Sequence, residues 1–165
     1  MADAPSMAEL LGQDTPKNWG KWGPDDQIGC LNYLDASQVL RGVSSVVAGQ
    51  VFTRAVSNEE FYDGFVEPGL TYSRELVEWF QTKEIPNLVT DTIANEVTYD
   101  PESGVALPLH AALLRNLGLS MAEIIWLDDL ADACAADGRW DFLYTAAPLK
   151  IHEATGAPVN PVVIR

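Results

Sequence analysis

The chain has 165 residues, with 24 acidic against 10 basic side chains, a formal net charge of −14 and 47% hydrophobic residues. That length and hydrophobicity suit one packed domain and exclude a disordered chain. The acidity, with an isoelectric point near 4.2, excludes the clustered Lys and Arg that nucleic acid or a polybasic membrane contact needs, and no apolar run reaches the roughly 20 residues of a membrane span.

Residues 1–17 are small and polar around one short apolar patch, Met7 to Leu11, and read as a flexible arm. No basic-then-apolar signal pattern stands there, so a cytoplasmic location is expected. Residues 18–34 hold Trp19, Trp22, several glycines and a Pro24-Asp25-Asp26 turn. Gly and Pro set turns in this stretch, and the tryptophans are expected to staple it to the core. Asp35 or Ser37 then caps a helix whose apolar residues are Val39, Leu40, Val43, Val46 and Val47, ended by Gly49. Val51–Val56 reads as a strand and 57–69 as a loop. Thr71 or Ser73 caps a second helix carrying Leu76, Val77, Trp79 and Phe80.

Leu88–Ala94 reads as a short buried strand with Asp91 inside it and Glu96 just beyond. Asp100–Gly104 is a turn cluster. Pro108 opens a third helix, where its missing N–H costs nothing, and Gly118 suits the position after its end. A fourth helix runs from Leu127 to about Ala136, with Asp128 and Asp129 in its first turn and Gly138 after it. Asp141–Ala147 and Pro158–Ile164 read as two closing strands. Helices alternating with short strands predict an α/β or α+β domain.

The chemistry available is narrow. There are two histidines, His110 and His152, and two cysteines, Cys30 and Cys134. Two histidines exclude a three-His zinc site within one chain. No Cys-x-x-Cys, nucleophile elbow, Walker loop or Gly-x-Gly-x-x-Gly is present, which removes the common nucleotide and serine-hydrolase signatures. His110 and Glu123 form the one grouping with ligand chemistry, since imidazole and carboxylate suit Zn²⁺, Mn²⁺ or Fe²⁺. They meet only if the chain after Gly118 folds back. The plainer reading makes His110 a structural hydrogen-bonder. Asp91 and Glu96 are candidate acid–base carboxylates, and a buried strand Asp needs either an ion-pair partner or a polar cleft. His152 is expected to be exposed, Cys134 to pack in a core, and Cys30 to be an unactivated thiol.

Two stretches resemble the metal-dependent cyclase family, which includes kynurenine formamidase-like hydrolases. NWGKWGPDDQIGCLNYLDASQVL, residues 18–40, is similar to its Trp-Gly-x-x-Asp-x-x-Gly-x-Leu-Asn pattern. The segment from about Gly69 onward, through ALPLHAALLRNLGLSMAEIIWLDDLADACAADG, FLYTAAPLKI and GAPVNPVVIR, resembles its C-terminal portion. The resemblance implies a swivelling β/β/α domain, here shortened by loss of a central segment. It divides the single domain into an arm at 1–17, an N-terminal part at 18–56, a junction at 57–68 and a C-terminal part at 69–165.

It also implies homo-oligomers and hydrolysis of a linear amide of the N-formylkynurenine type, or a related amide or lactone, by water bound to Zn or Mn. On that match His110 and Glu123 are metal ligands, and Asp91 is a carboxylate that either supports those ligands or lies in the substrate site. The family's central His-x-Gly-Thr-His-x-Asp pattern is missing, and no His lies between Phe52 and Gly69. The alternative is therefore an inactive relative serving as a binding or dimerisation module.

Overall fold

A computed structural model describes residues 6–52, 68–100 and 104–165. The expected junction at 57–68 lies outside these residues apart from Pro68, as do residues 53–56 of the expected Val51–Val56 strand and residues 101–103 of the turn cluster. The described residues are mixed α/β, with helices and small sheets. Contacts separate them into two compact units, 6–34 with 68–125 and 35–52 with 126–165. Among the described residues no helix is long and apolar enough to cross a membrane.

In the first unit, α1 (Met7–Leu11) starts at a reciprocal cap. The Ser6 hydroxyl accepts from the Glu9 N–H, and the Glu9 carboxylate accepts from the Ser6 N–H, which satisfies two orphan donors at once. Leu10 is fully buried, and its carbonyl accepts from the Asn116 amide. Met7–Leu11 is thus held to the core by burial and by a buried hydrogen bond. Residues Gly29–Tyr33 form a 3₁₀ turn. Asp26 shapes the loop before it, accepting from the Gly29 N–H and the Asn32 side chain.

The α3 helix (Arg74–Thr82) is capped by Ser73, whose hydroxyl accepts from the Leu76 N–H. Val77 and Phe80 are buried, while Trp79 stays half exposed. The third helix continues from Pro108 as a π-helix over His110–Leu117. Gly118 ends it in the left-handed region at φ 71°, donating its N–H to the last carbonyls, the role a Cβ-free residue fills best. Leu109, Ala112, Leu113, Leu117 and Leu119 are almost fully buried and form the centre of this unit's core with Leu10, Val77 and Phe80. Strand β2 (Asn87–Val89) pairs in parallel with β5 (Ser120–Ala122), and β3 (Tyr99–Asp100) pairs antiparallel with β4 (Val105–Ala106).

The expected strand Leu88–Ala94 stops at Val89. Its partner ends at Ala122, and beyond it the Thr90 carbonyl accepts from Ile125 while Thr92 accepts from Ile124. The chain bends there, and Asp91 is exposed instead of lying in a strand.

In the second unit Asp35 caps α2 (Ala36–Ser45), accepting from the Ser37 and Gln38 N–H groups. The helix ends before Val46 and Val47, well short of Gly49. Its apolar residues Val39, Leu40 and Val43 are more than half exposed. Gly42 abuts Leu143, whose Cδ1 would lie 3.1 Å from a Cβ at that position. A three-stranded antiparallel sheet runs in the order β1 (Val51–Phe52), β7 (Val162–Ile164), β6 (Leu143–Thr145). The α4 helix (Asp128–Asp137) contributes Leu130 and Cys134, which pack with Val163, Phe52, Phe142 and Tyr144. Arg165 is buried and paired with Asp137.

Two outcomes follow for stability. A Cβ on Gly29 (φ 55°) would stand 2.5 Å from the Gly118 carbonyl, whereas one on Gly20 (φ 76°) meets nothing within 4 Å. Gly20→Ala should cost about 1–2 kcal/mol from the left-handed backbone alone, and Gly29→Ala roughly 1–3 kcal/mol more from the clash, read by urea denaturation.

Hydrogen bonds from Ser37 and then Gln38 hold the Asp35 carboxyl below its ordinary range. A lowered folded value means its contribution is complete above the unfolded pKa and disappears as pH falls through the folded one. Acid unfolding should therefore steepen below about pH 4, and Asp35→Asn, which keeps a cap but cannot titrate, should flatten that part of the curve.

Candidate functional site

The parallel pair β2–β5 ends at Val89 and Ala122. Ligands of α/β sheets gather where parallel strands end at their carboxyl termini. Thr90 and Glu123 follow those strand ends directly, and the π-helix begins beside them with His110. The chain does fold back after Gly118, so two residues thirteen positions apart converge. His110 Nε2 lies 3.2 Å from Glu123 Oε1, with the two side chains 26% and 32% exposed.

The other face of the imidazole is held from below. His110 Nδ1 lies 2.6 Å from Glu96 Oε1, and the Glu96 side chain is wholly buried. The same carboxylate accepts from the His110 backbone N–H at 2.9 Å and from the Leu109 N–H at 2.6 Å. It thus satisfies donors at the start of the helix that have no intrahelical partner, at the end of the helix dipole that favours an anion. An ionised carboxylate only accepts, so Nδ1–H donates. Nε2 is left facing Glu123, as a lone pair or, in the imidazolium form, as a second N–H.

Glu123 is oriented by a second chain of contacts. The Asn95 amide donates to Glu123 Oε1 at 3.2 Å, and the Thr90 hydroxyl donates to Asn95 Oδ1 at 2.8 Å. Asn95, Leu107 and Ile124 adopt positive φ of 58°, 53° and 56°. Such backbone is costly for residues with a Cβ, most of all for a branched one like Ile124, and it clusters where a fold must aim side chains. These three residues flank Glu96, His110 and Glu123.

Two donor atoms bound to one ion at about 2.1 Å in tetrahedral geometry stand roughly 3.4 Å apart. The His110–Glu123 separation fits one such edge. Among the described residues no group of three His, Cys, Asp or Glu side chains is placed to hold a metal. The pair therefore supplies two donors, and other positions are left to water or substrate oxygen.

Asp91 is exposed, and Glu96, singled out by sequence only as an acid–base carboxylate, is the buried residue at the centre of the cluster. His152 is exposed beside Glu153. Trp22 packs against the core edge-on to Tyr33, but Trp19 is 57% exposed. The Lys17 ammonium lies 5.5 Å and the Arg115 guanidinium 4.7 Å from the centroid of the Trp19 ring. Two cations compensate its exposure in place of core packing. It borders a cleft of about 240 Å³ that Trp22, Asp26 and Arg115 also line, at the far end of the π-helix from His110. Asn95 was not legible as functional, because nothing local marks its left-handed conformation except the tolerance of Asn for it.

No family model matches the chain, and no curated protein matches its sequence. A solved crystal structure described as a novel cyclase is similar, with a TM-score of 0.71 and 19% identity, over 90% of this chain and 97% of that one. The chain is thus a mixed α/β protein with the fold of that cyclase.

Burial pushes the Cys30 thiol up from its ordinary value, against a smaller lowering by the Asn18 amide. The thiol form is a poor nucleophile. In native protein at pH 8, Cys30 should react with a soluble disulfide reagent far more slowly than a free cysteine, and denaturant should release it. Fast native labelling, mapped to Cys30 by mass spectrometry, would contradict its burial.

Proposed function

We propose that the chain is a cyclase-family, arylformamidase-like protein, built to hydrolyse a linear amide of the N-formylkynurenine class, with low turnover. One observation carries this reading: His110 Nε2 and Glu123 Oε1 face each other at 3.2 Å beyond the ends of two parallel strands. His110 and Glu123 are the residues that would hold Zn or Mn. A divalent ion bound there would supply an activated water and polarise the amide carbonyl. Glu96 and Asn95 hold the two donors in place. The cyclase likeness of the fold supports the family reading, as do the sequence patterns at 18–40 and 106–138.

Low turnover follows from the donor count. Catalytic zinc sites use three protein ligands and an open position, and this chain has no His-x-Gly-Thr-His pattern to provide more. Asp91, being exposed, retains at most a substrate-contacting role at the edge of the site. The second reading, a non-catalytic dimerising module, is favoured by the exposed Val39, Leu40 and Val43 on α2, the kind of apolar surface that marks an interface.

Metal binding and hydrolysis separate the two readings. Purified protein should take up Zn²⁺ or Mn²⁺ in a calorimetric titration, and His110→Ala should weaken that binding at least tenfold. Metal-loaded protein should cleave N-formylkynurenine above blank, and His110→Ala should not. Identical metal uptake by wild type and His110→Ala, with no cleavage by either, would remove the hydrolase reading.

A further inference from the structure

We propose that the dipeptide Asn95–Glu96 is the positioning element of the His110–Glu123 pair. Glu96 holds the His110 proton on Nδ1, and Asn95 sets the Glu123 carboxylate, so that Nε2 and Oε1 are presented together. The inference rests on the metal reading for its purpose but stands on contacts that need no metal.

Adjacent residues of an extended chain point to opposite sides. Here they serve one cluster. Asn95 at φ 58° breaks the alternation, and its amide reaches Glu123 while the next side chain reaches His110. Both residues are nearly inaccessible, at 1% and 2%. A buried carboxylate is costly unless it is fully hydrogen-bonded; Glu96 accepts from the Leu109 and His110 backbone N–H groups and has His110 Nδ1 at 2.6 Å, where a proton completes the set.

The backbone of the dipeptide is fixed in turn. Leu70 donates to the Asn95 carbonyl and accepts from the Val97 N–H. Gly69 lies so close that a Cβ there would stand 2.3 Å from the Glu96 carbonyl carbon. A histidine whose one nitrogen is to bind an ion needs its other nitrogen held by an acceptor, which fixes both tautomer and ring orientation. Glu96 meets that need from the core side and Asn95 supplies the matching constraint on the carboxylate.

The experiment uses full-length protein labelled with ¹⁵N at histidine, with His152→Gln to leave His110 as the sole signal. Long-range ¹H–¹⁵N spectra of the metal-free protein should show a proton on Nδ1, and added Zn²⁺ should perturb Nε2. An unprotonated Nδ1, or Zn²⁺ acting on Nδ1, overturns the proposal without any further variant. Glu96→Gln keeps one acceptor but turns an NH₂ toward the Leu109 N–H. It should shift the ring-nitrogen signals, and both it and Asn95→Ala should lower Zn²⁺ affinity about 10–100-fold with the circular dichroism unchanged. Unaltered affinity and ring-nitrogen signals in folded variants would overturn the proposal. If wild-type protein binds no Zn²⁺ yet shows the Nδ1 proton, displaced by Glu96→Gln, the metal reading fails and the positioning role stands.

Discussion

The buried Glu96 carboxylate is the group on which the geometry around His110 depends. Three nitrogens converge on it: two backbone N–H groups where the π-helix begins and the Nδ1 of the imidazole. Burying this charge is tolerable only because those donors replace its hydration. The same bonds that make the charge affordable also fix where His110 points. Stability and site geometry are thus one set of contacts at the start of this helix.

The opposite end of the helix is governed by steric closeness instead of charge. Gly118 turns the chain with a left-handed backbone and lies directly against Gly29, whose neighbour Cys30 donates its N–H to the Gly118 carbonyl. The turn sends the chain into β5 beside β2, and that parallel pairing carries Glu123 back to His110. A helix of eight residues thereby links a packed glycine contact at one end to a polar cluster at the other. The π form of this helix is of a kind often found at functional positions.

The second unit shows a different balance. Among the described residues its core centres on Leu130, Cys134 and Val163. It relies on a sheet of short strands and on Arg165 paired with Asp137. Exposed apolar residues on α2 leave this unit with surface that a compact monomer normally covers. None of those residues belongs to the His110–Glu123 cluster.

Local rules were legible in the sequence. The caps were readable to within a pair, Asp35 or Ser37 and Thr71 or Ser73, because a short polar side chain reaches its own following N–H groups, and the structure uses Asp35 and Ser73. Gly118 and Gly138 were readable as helix ends because only a residue without Cβ enters the left-handed region cheaply. The α/β character and the His110–Glu123 pairing were also within reach, the latter through a family resemblance. What the tertiary structure decided was everything that depends on distant chain segments meeting. It ended β2 where its partner ended, leaving Asp91 in solvent. It gave the buried role to Glu96, whose donors lie more than a dozen residues away. It bent Asn95 to reach Glu123, and it kept Trp19 beside two cations instead of in the core. Capping and turn chemistry act over three or four residues, so composition and spacing reveal them. A carboxylate's partners are set by how the chain returns, and no short-range pattern encodes that.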